Sequence, residues 1–228
     1  MSVRAVLFDV DFTLARPGPE LGPEGYRRLG ERFGLTLDPA LYGQARAQAL
    51  HDLKRHPELE HDDEIWVAFT ERIIQGMGGD SQAAYECAVR MTEAWERSEN
   101  FELYEDALPV LGELRRLGMK LGLVSNTGRD LDVFQAHHGI EVDVALGSRA
   151  HGKTKPDPTI FRAVLSHLEV EPEAAAMVGD SLEDDVEGAR ALGMRAFLLD
   201  RDNRFPEVPE RLTDLFALPA ALGLPRPG

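Results

Sequence analysis

The stretch Val3-Arg4-Ala5-Val6-Leu7-Phe8-Asp9-Val10-Asp11-Phe12-Thr13 decides how this chain is read. Its first half is short, largely apolar and partly β-branched, the pattern of a strand buried on both faces. It then runs straight into two carboxylates one residue apart. A strand buried on both faces belongs to a parallel sheet, and open parallel sheets bind ligands beyond the carboxyl ends of their strands. Asp9 and Asp11 therefore stand where a ligand is expected.

The next segment, Arg16-Pro17-Gly18-Pro19-Glu20-Leu21-Gly22-Pro23, reads as loop or hinge. From Pro23 to about Ser98 the period is helical. Tyr26, Leu29 and Phe33 share one face, with Gly34 as a stop. Asp38-Pro39 opens a second helix bearing Leu41, Ala45 and Ala49. Ile65, Phe69 and Ile73 define a third, and Asp80 or Ser81 caps a fourth with Ala84, Ala88, Met91 and Trp95 inside. Four helices with no convincing strand make a helical unit. After about Glu105, strands and helices alternate. Strands are expected over 120–124, 142–146, 174–178 and 195–199, and a weak helix near 211–217. That alternation implies a parallel sheet with helices on both faces. The expected layout is an α/β core, 1–14 and 105–228, interrupted by an all-helical domain, 15–104.

The 228 residues carry 25 basic and 40 acidic side chains, 25 − 40 = −15. Non-specific attraction to nucleic acid or to an anionic membrane is therefore not expected. No apolar run approaches the ~20 residues of a membrane span. Asp9 and Asp11 break the first apolar run, so the opening does not read as a signal peptide. Cys87 is the one cysteine, and it reads as helix packing. A chain without an internal disulfide fits a reducing compartment, hence the cytoplasm.

Polar residues collect at three strand ends and in the loop after another strand. The first carries Asp9, Asp11 and Thr13, another Ser125 and Asn126, and a later one Asp180, followed by Asp184 and Asp185; Lys155 lies in the loop between. Converging buried carboxylates are costly unless a cation joins them, and clustered oxygen ligands suit Mg²⁺. A carboxylate on a rigid strand end can act as nucleophile, and one two residues later as acid and base. Those roles need Asp9 ionised by the metal and Asp11 carrying a proton. Ser125 and Asn126 offer neutral donors to a phosphoryl oxygen, and Lys155 supplies positive charge that orients Asp9. These parts describe phosphoryl transfer.

With these residues the chain resembles the haloacid dehalogenase superfamily, whose four motifs occur in order. D-x-D-x-T matches Asp9, Asp11 and Thr13; a Ser or Thr at a strand end matches Ser125 with Asn126; Lys before Pro-Asp-Pro matches Lys155; G-D-S-x-x-x-D matches Gly179, Asp180, Ser181 and Asp185. The resemblance implies a Rossmannoid, doubly wound core with a helical cap inserted after the first strand. It implies Asp9 as nucleophile, forming an aspartyl-phosphate, and Asp11 as acid/base, its backbone carbonyl also touching Mg²⁺. Asp180 would be a direct metal ligand and Asp185 a ligand or an outer carboxylate. Two departures stand out: Phe12 where Gly is common, and Asp184 where Asn is common. The dehalogenases of the superfamily lack a carboxylate at the position of Asp11, because halide leaves without a proton; a phosphate ester needs the acid.

The expected function is Mg²⁺-dependent hydrolysis of a small phosphorylated metabolite, with nucleic acid and membrane excluded as partners and the choice of monomer or homodimer open. A phosphomutase of the same fold and a low-turnover binding module are the alternatives. Thr13 reads as structural, its hydroxyl tying the loop. The histidines lack the spacing of a metal pair, and His151, near Lys155, reads as solvent-exposed. Trp66 and Trp95 read as packing. Arg46, Lys54 and Arg55 read as ordinary helix-surface charge, the alternative being contact with the remote groups of a substrate.

Overall fold

A computed structural model describes residues 2–53, 56–79 and 81–224. The chain divides into two compact units: Met1–Arg16 with Leu103–Gly228, and Pro17–Glu102. The sequence expectation set the crossings two residues away, at 14/15 and 104/105.

In chain order, the elements that matter begin with β1 (Ala5–Phe8) and β2 (Ala15–Pro17). The helices α1 (Pro23–Arg32), α2 (Tyr42–His51), α3 (Asp63–Gly76) and α4 (Ser81–Trp95) follow. Then come β3 (Phe101–Leu103), α5 (Ala107–Arg116), β4 (Lys120–Ser125), α6 (Leu131–His138) and β5 (Val144–Gly147). A short α7 (Ser148–His151), not expected from the sequence, precedes α8 (Pro158–Leu168), β6 (Ala175–Gly179) and α9 (Gly188–Ala191). The chain closes with β7 (Arg195–Leu199), β8 (Arg211–Leu212) and α10 (Leu218–Ala221).

The core sheet runs β5-β4-β1-β6-β7-β8, and the pairs along it are parallel. β1 lies centrally, and all four of its side chains are fully buried. Its register sets Phe8 beside Leu123 of β4 and Val178 of β6. The next residues along, Asp9, the end of β4 and the end of β6, therefore emerge at one edge. One face of the sheet packs on α8, whose Ile160, Phe161, Val164, Leu165 and Leu168 are all buried. α6 starts on Asp130, whose Oδ1 accepts from the N–H groups of Asp132 and Val133, and ends on Gly139 in a left-handed conformation (φ +67°).

In the helical unit α3 packs against α2 and α4. The face of α3 differs from the expected one. Val67, Thr70, Ile73 and Ile74 are buried, whereas Ile65 and Phe69 are only half-buried. Several helical faces fit this apolar-rich segment, and contact with both neighbours selected among them. Leu41 is likewise 40% exposed, because Asp38 caps a separate 3₁₀ turn (Pro39–Leu41) ahead of α2. The side-chain cap sought at Asp80 or Ser81 lies outside the described side chains, as do Lys54 and Arg55.

The tail holds the other correction. Residues 211–217, read as a weak helix, contribute β8 and then a 3₁₀ turn over Leu215–Ala217. β7 offers an open edge, and Leu198 and Leu199 pair there with Arg211 and Leu212. Asp106, 1% exposed ahead of α5, fastens this tail. It accepts two bonds at 2.8 Å from Arg201 and one at 2.8 Å from the Leu215 N–H. Removing one partner of a buried ion pair leaves the other uncompensated. Asp106→Ala is expected to lower stability by about 3–5 kcal/mol, read as a shift in the urea unfolding midpoint with the slope unchanged.

Candidate active site

The strand that carries Asp9 does not stop at Phe8: the Asp9 N–H still donates to Val178 O at 2.9 Å. The chain then folds back at once. Thr13, Leu14 and Ala15 all donate to the carbonyl of Val10, and Phe12 N–H donates to Ala15 O. This turn requires φ +61° at Phe12, which costs a non-glycine residue about 1–3 kcal/mol. The resemblance put Gly here, and the backbone adopts the glycine-like conformation with a phenylalanine in place.

Asp9, Asp180 and Asp185 each offer a carboxylate oxygen within 4.8 Å of the others. Asp9 and Asp180 sit just past β1 and β6. Asp185 arrives by another route. The segment Leu182–Glu187 forms a π-helical turn, started by Ser181, whose Oγ accepts from Asp184 N–H at 3.1 Å. The wide turn carries Asp185 back to the strand end, where its Oδ2 accepts from Ser181 N–H at 3.0 Å. Asp185 is 1% exposed, while Asp184, the neighbour in the motif, is outside the cluster. Gly179 makes the approach feasible: a Cβ there would lie 2.1 Å from Asp185 Oδ2.

Lys155 is 2% exposed, and its Nζ donates at 2.6 Å to both Asp9 Oδ1 and Asp185 Oδ1. Asn126 holds it there. Asn126 Oδ1 accepts from Lys155 N–H at 2.7 Å, and Nδ2 donates to Lys155 O at 3.1 Å. The amide expected to face a phosphoryl oxygen is thus engaged on the Lys155 backbone, so Asn126 positions the lysine. Ser125 is buried at the end of β4.

Two arginines that the motif reading passed over flank the cluster. Arg129 grips Asp11 with both nitrogens, at 3.0 and 3.2 Å. Asp11 is therefore turned to a guanidinium, and its side chain is outside the acidic cluster. Arg204 reaches Asp180 at 3.6 Å from a loop after β7. A cation within a few residues of a strand end was the available signal for both. The Thr13 hydroxyl, expected to tie the loop, is buried without a partner; its carbonyl does the tying instead, accepting from Arg201 Nη2 at 2.9 Å. His151 bonds Thr159 at 2.9 Å, and Trp66 and Trp95 pack edge-on against Phe69 and Phe101.

Burial pushes the Asp9 carboxyl well above its ordinary range; the Lys155 charge opposes this, and Asp185 and Asp180 add to it. Asp185 is raised by burial against the pull of Lys155. Asp180 is pushed up to about 7, first by burial and then by Asp185. Lys155 is raised too: burial opposes its charge, but Asp185 and Asp9 together outweigh it. Three carboxylates, two of them buried and Asp180 half-buried, around one ammonium leave negative charge in excess, and that excess, with oxygen donors alone, fits a hard divalent cation. Asp9, Asp180 and Asp185 are the side chains that would hold it.

A family model for haloacid dehalogenase-like hydrolases matches residues 3–193, and the chain belongs to that family. It is a hydrolase, and phosphatases are among the relatives it resembles. A phosphoserine phosphatase of Thermus thermophilus is 40% identical over 227 residues, covering 93% of this chain and 87% of the relative. A phosphatase of Mycobacterium tuberculosis is 40% identical over 225 residues, covering 90% of each. Among solved structures, an HAD phosphatase of Thermococcus onnurineus superposes with TM-score 0.66 at 28% identity, covering 97% and 98%. An HAD hydrolase of Bacillus subtilis, at 18% identity and TM-score 0.78 over 98% of this chain and 100% of that one, shares the Rossmannoid fold with helical cap. No helix among the described residues is long and apolar enough to cross a membrane.

Gly179→Ala is expected to displace Asp185 and weaken Mg²⁺ affinity by about 10- to 100-fold, measured by isothermal titration calorimetry. The raised carboxyls set a pH dependence as well. Folded Asp180 keeps its proton to higher pH than the unfolded residue, so the stability it contributes to the metal-free chain is lost as pH rises through about 7. Mg²⁺ needs the ionised forms, so its affinity should climb through the same interval with proton release. Titrations at pH 5.5, 7 and 8.5 check both signs.

Proposed function

We propose that this chain is a Mg²⁺-dependent phosphomonoester hydrolase acting on a small phosphorylated metabolite through an aspartyl-phosphate on Asp9. The observation that carries the reading is the meeting of Asp9, Asp180 and Asp185 within 4.8 Å beside Lys155. Lys155 holds one oxygen of Asp9, which leaves the other for attack on phosphorus. Asp9 displaces the ester oxygen, and Asp11 protonates it. Water then attacks that phosphorus and gives up a proton to Asp11; the bond from Asp9 to phosphorus breaks, inorganic phosphate leaves and the Asp9 carboxylate is restored. The Ser125 hydroxyl and nearby backbone N–H groups donate to the phosphoryl oxygens. A magnesium ion on Asp9, Asp180 and Asp185, joined by the Asp11 carbonyl, would neutralise phosphoryl charge when bound.

The carboxylate at Asp11 supports phosphate esters over halides as substrates, and the phosphatase relatives support the same class. Nothing in the chemistry calls for nucleic acid or a membrane surface. The proposed location is the cytoplasm, in keeping with Cys87 as a buried free thiol.

Phosphate release from a panel of sugar, nucleotide and amino-acid phosphates tests the reading. Activity should vanish on chelation and return with Mg²⁺. Asp9→Asn should lower kcat by about 10³-fold or more. Turnover that survives that substitution would remove the nucleophile from the account.

A further inference from the structure

Arg129 lies four residues past the end of β4 and is 4% exposed. Its Nη1 donates to Asp11 Oδ1 at 3.0 Å and its Nη2 to Asp11 Oδ2 at 3.2 Å. The guanidinium stands over the fully buried Phe134 ring, 5.0 Å from its centroid. Behind it, Thr127 Oγ1 accepts from the Arg129 N–H at 3.1 Å, and Asp130 begins α6. Arg149 Nη1 also bonds the Gly128 carbonyl at 2.7 Å. The arginine is thus fixed on its backbone, along its side chain and at its fork.

We propose that Arg129 is a positioning residue for Asp11 that acts in departure of the alcohol. The inference rests on the phosphatase reading above. In that step Asp9 forms its bond to phosphorus while the bond from phosphorus to the ester oxygen breaks. The ester oxygen keeps the electron pair and takes the proton of Asp11. With the proton on Asp11, one carboxyl oxygen still accepts from Arg129 while the other meets the ester oxygen, so the arginine sets the plane and direction from which the proton is delivered. The planar fork matches the carboxylate in a way a lysine ammonium does not.

The role separates from a purely structural one by the leaving group. A nitrophenolate leaves with little need of a proton, whereas a phenolate needs more help. The full chain with saturating Mg²⁺ is assayed on phenyl phosphate and p-nitrophenyl phosphate. Arg129→Ala is expected to lower kcat on phenyl phosphate about tenfold or more beyond its effect on the nitrophenyl ester, and Arg129→Lys to fall between. In the Asp11→Asn background, Arg129→Ala should cost nothing further on phenyl phosphate. Where the alanine variant folds poorly both rates fall together, and their ratio, which is independent of the amount of folded enzyme, still reports. An unchanged ratio in both variants, or losses that add with Asp11→Asn, overturns the assignment of Arg129 alone. A wild-type chain that releases phosphate from neither ester overturns the phosphatase reading and this inference with it.

Discussion

The Lys155 ammonium, bonded at 2.6 Å to both Asp9 and Asp185, is the interaction on which the site depends. Carboxylates this buried repel one another and lose their hydration, and each effect alone would drive them apart or protonate them. One fixed cation lets two of them stay. A lysine suits the place because its compact charge can serve two acceptors, and Asn126 removes its freedom to drift by holding both backbone atoms of the residue. What Lys155 leaves uncompensated is the attraction for a divalent ion.

A divalent cation held there would let a chain of net charge −15 take an anionic substrate. The overall field opposes a phosphate, so the local balance has to reverse it. Lys155, Arg129 and Arg204 each face an aspartate at this edge of the sheet. The parallel register does the gathering. With Phe8 level with Leu123 and Val178, the residues that follow each strand come out together. Shifting one strand by a single residue would turn Asp9 to the other face of the sheet.

The core was legible where a local pattern had one solution. Strand and helix alternation after residue 105 named the layers. Legibility failed where neighbours choose between equivalent options. The α3 segment carries apolar residues around much of its circumference, and only packing against α2 and α4 shows that Val67 and Ile74 are inside while Ile65 is half out. Residues 211–217 had weak local preference, and the open edge of β7 claimed the first two. Phe12 shows a third kind of limit: its side chain argues against a left-handed turn, yet the bonds converging on the Val10 carbonyl hold it in one.

The amino-acid order alone determined the class of the chain and the chemistry available to it. Acids, amide, hydroxyl and lysine follow strand-like runs, and strand ends are where such sheets bind ligands. Tertiary structure decided which partner each group received. It sent the Asn126 amide to the Lys155 backbone, Asp11 to Arg129, and Asp185 rather than Asp184 to the acidic cluster. The physical reason is range. Hydrogen bonds along a turn are set within a few residues, but pairing across 118 residues, as between Asp11 and Arg129, exists only once the sheet has closed the distance.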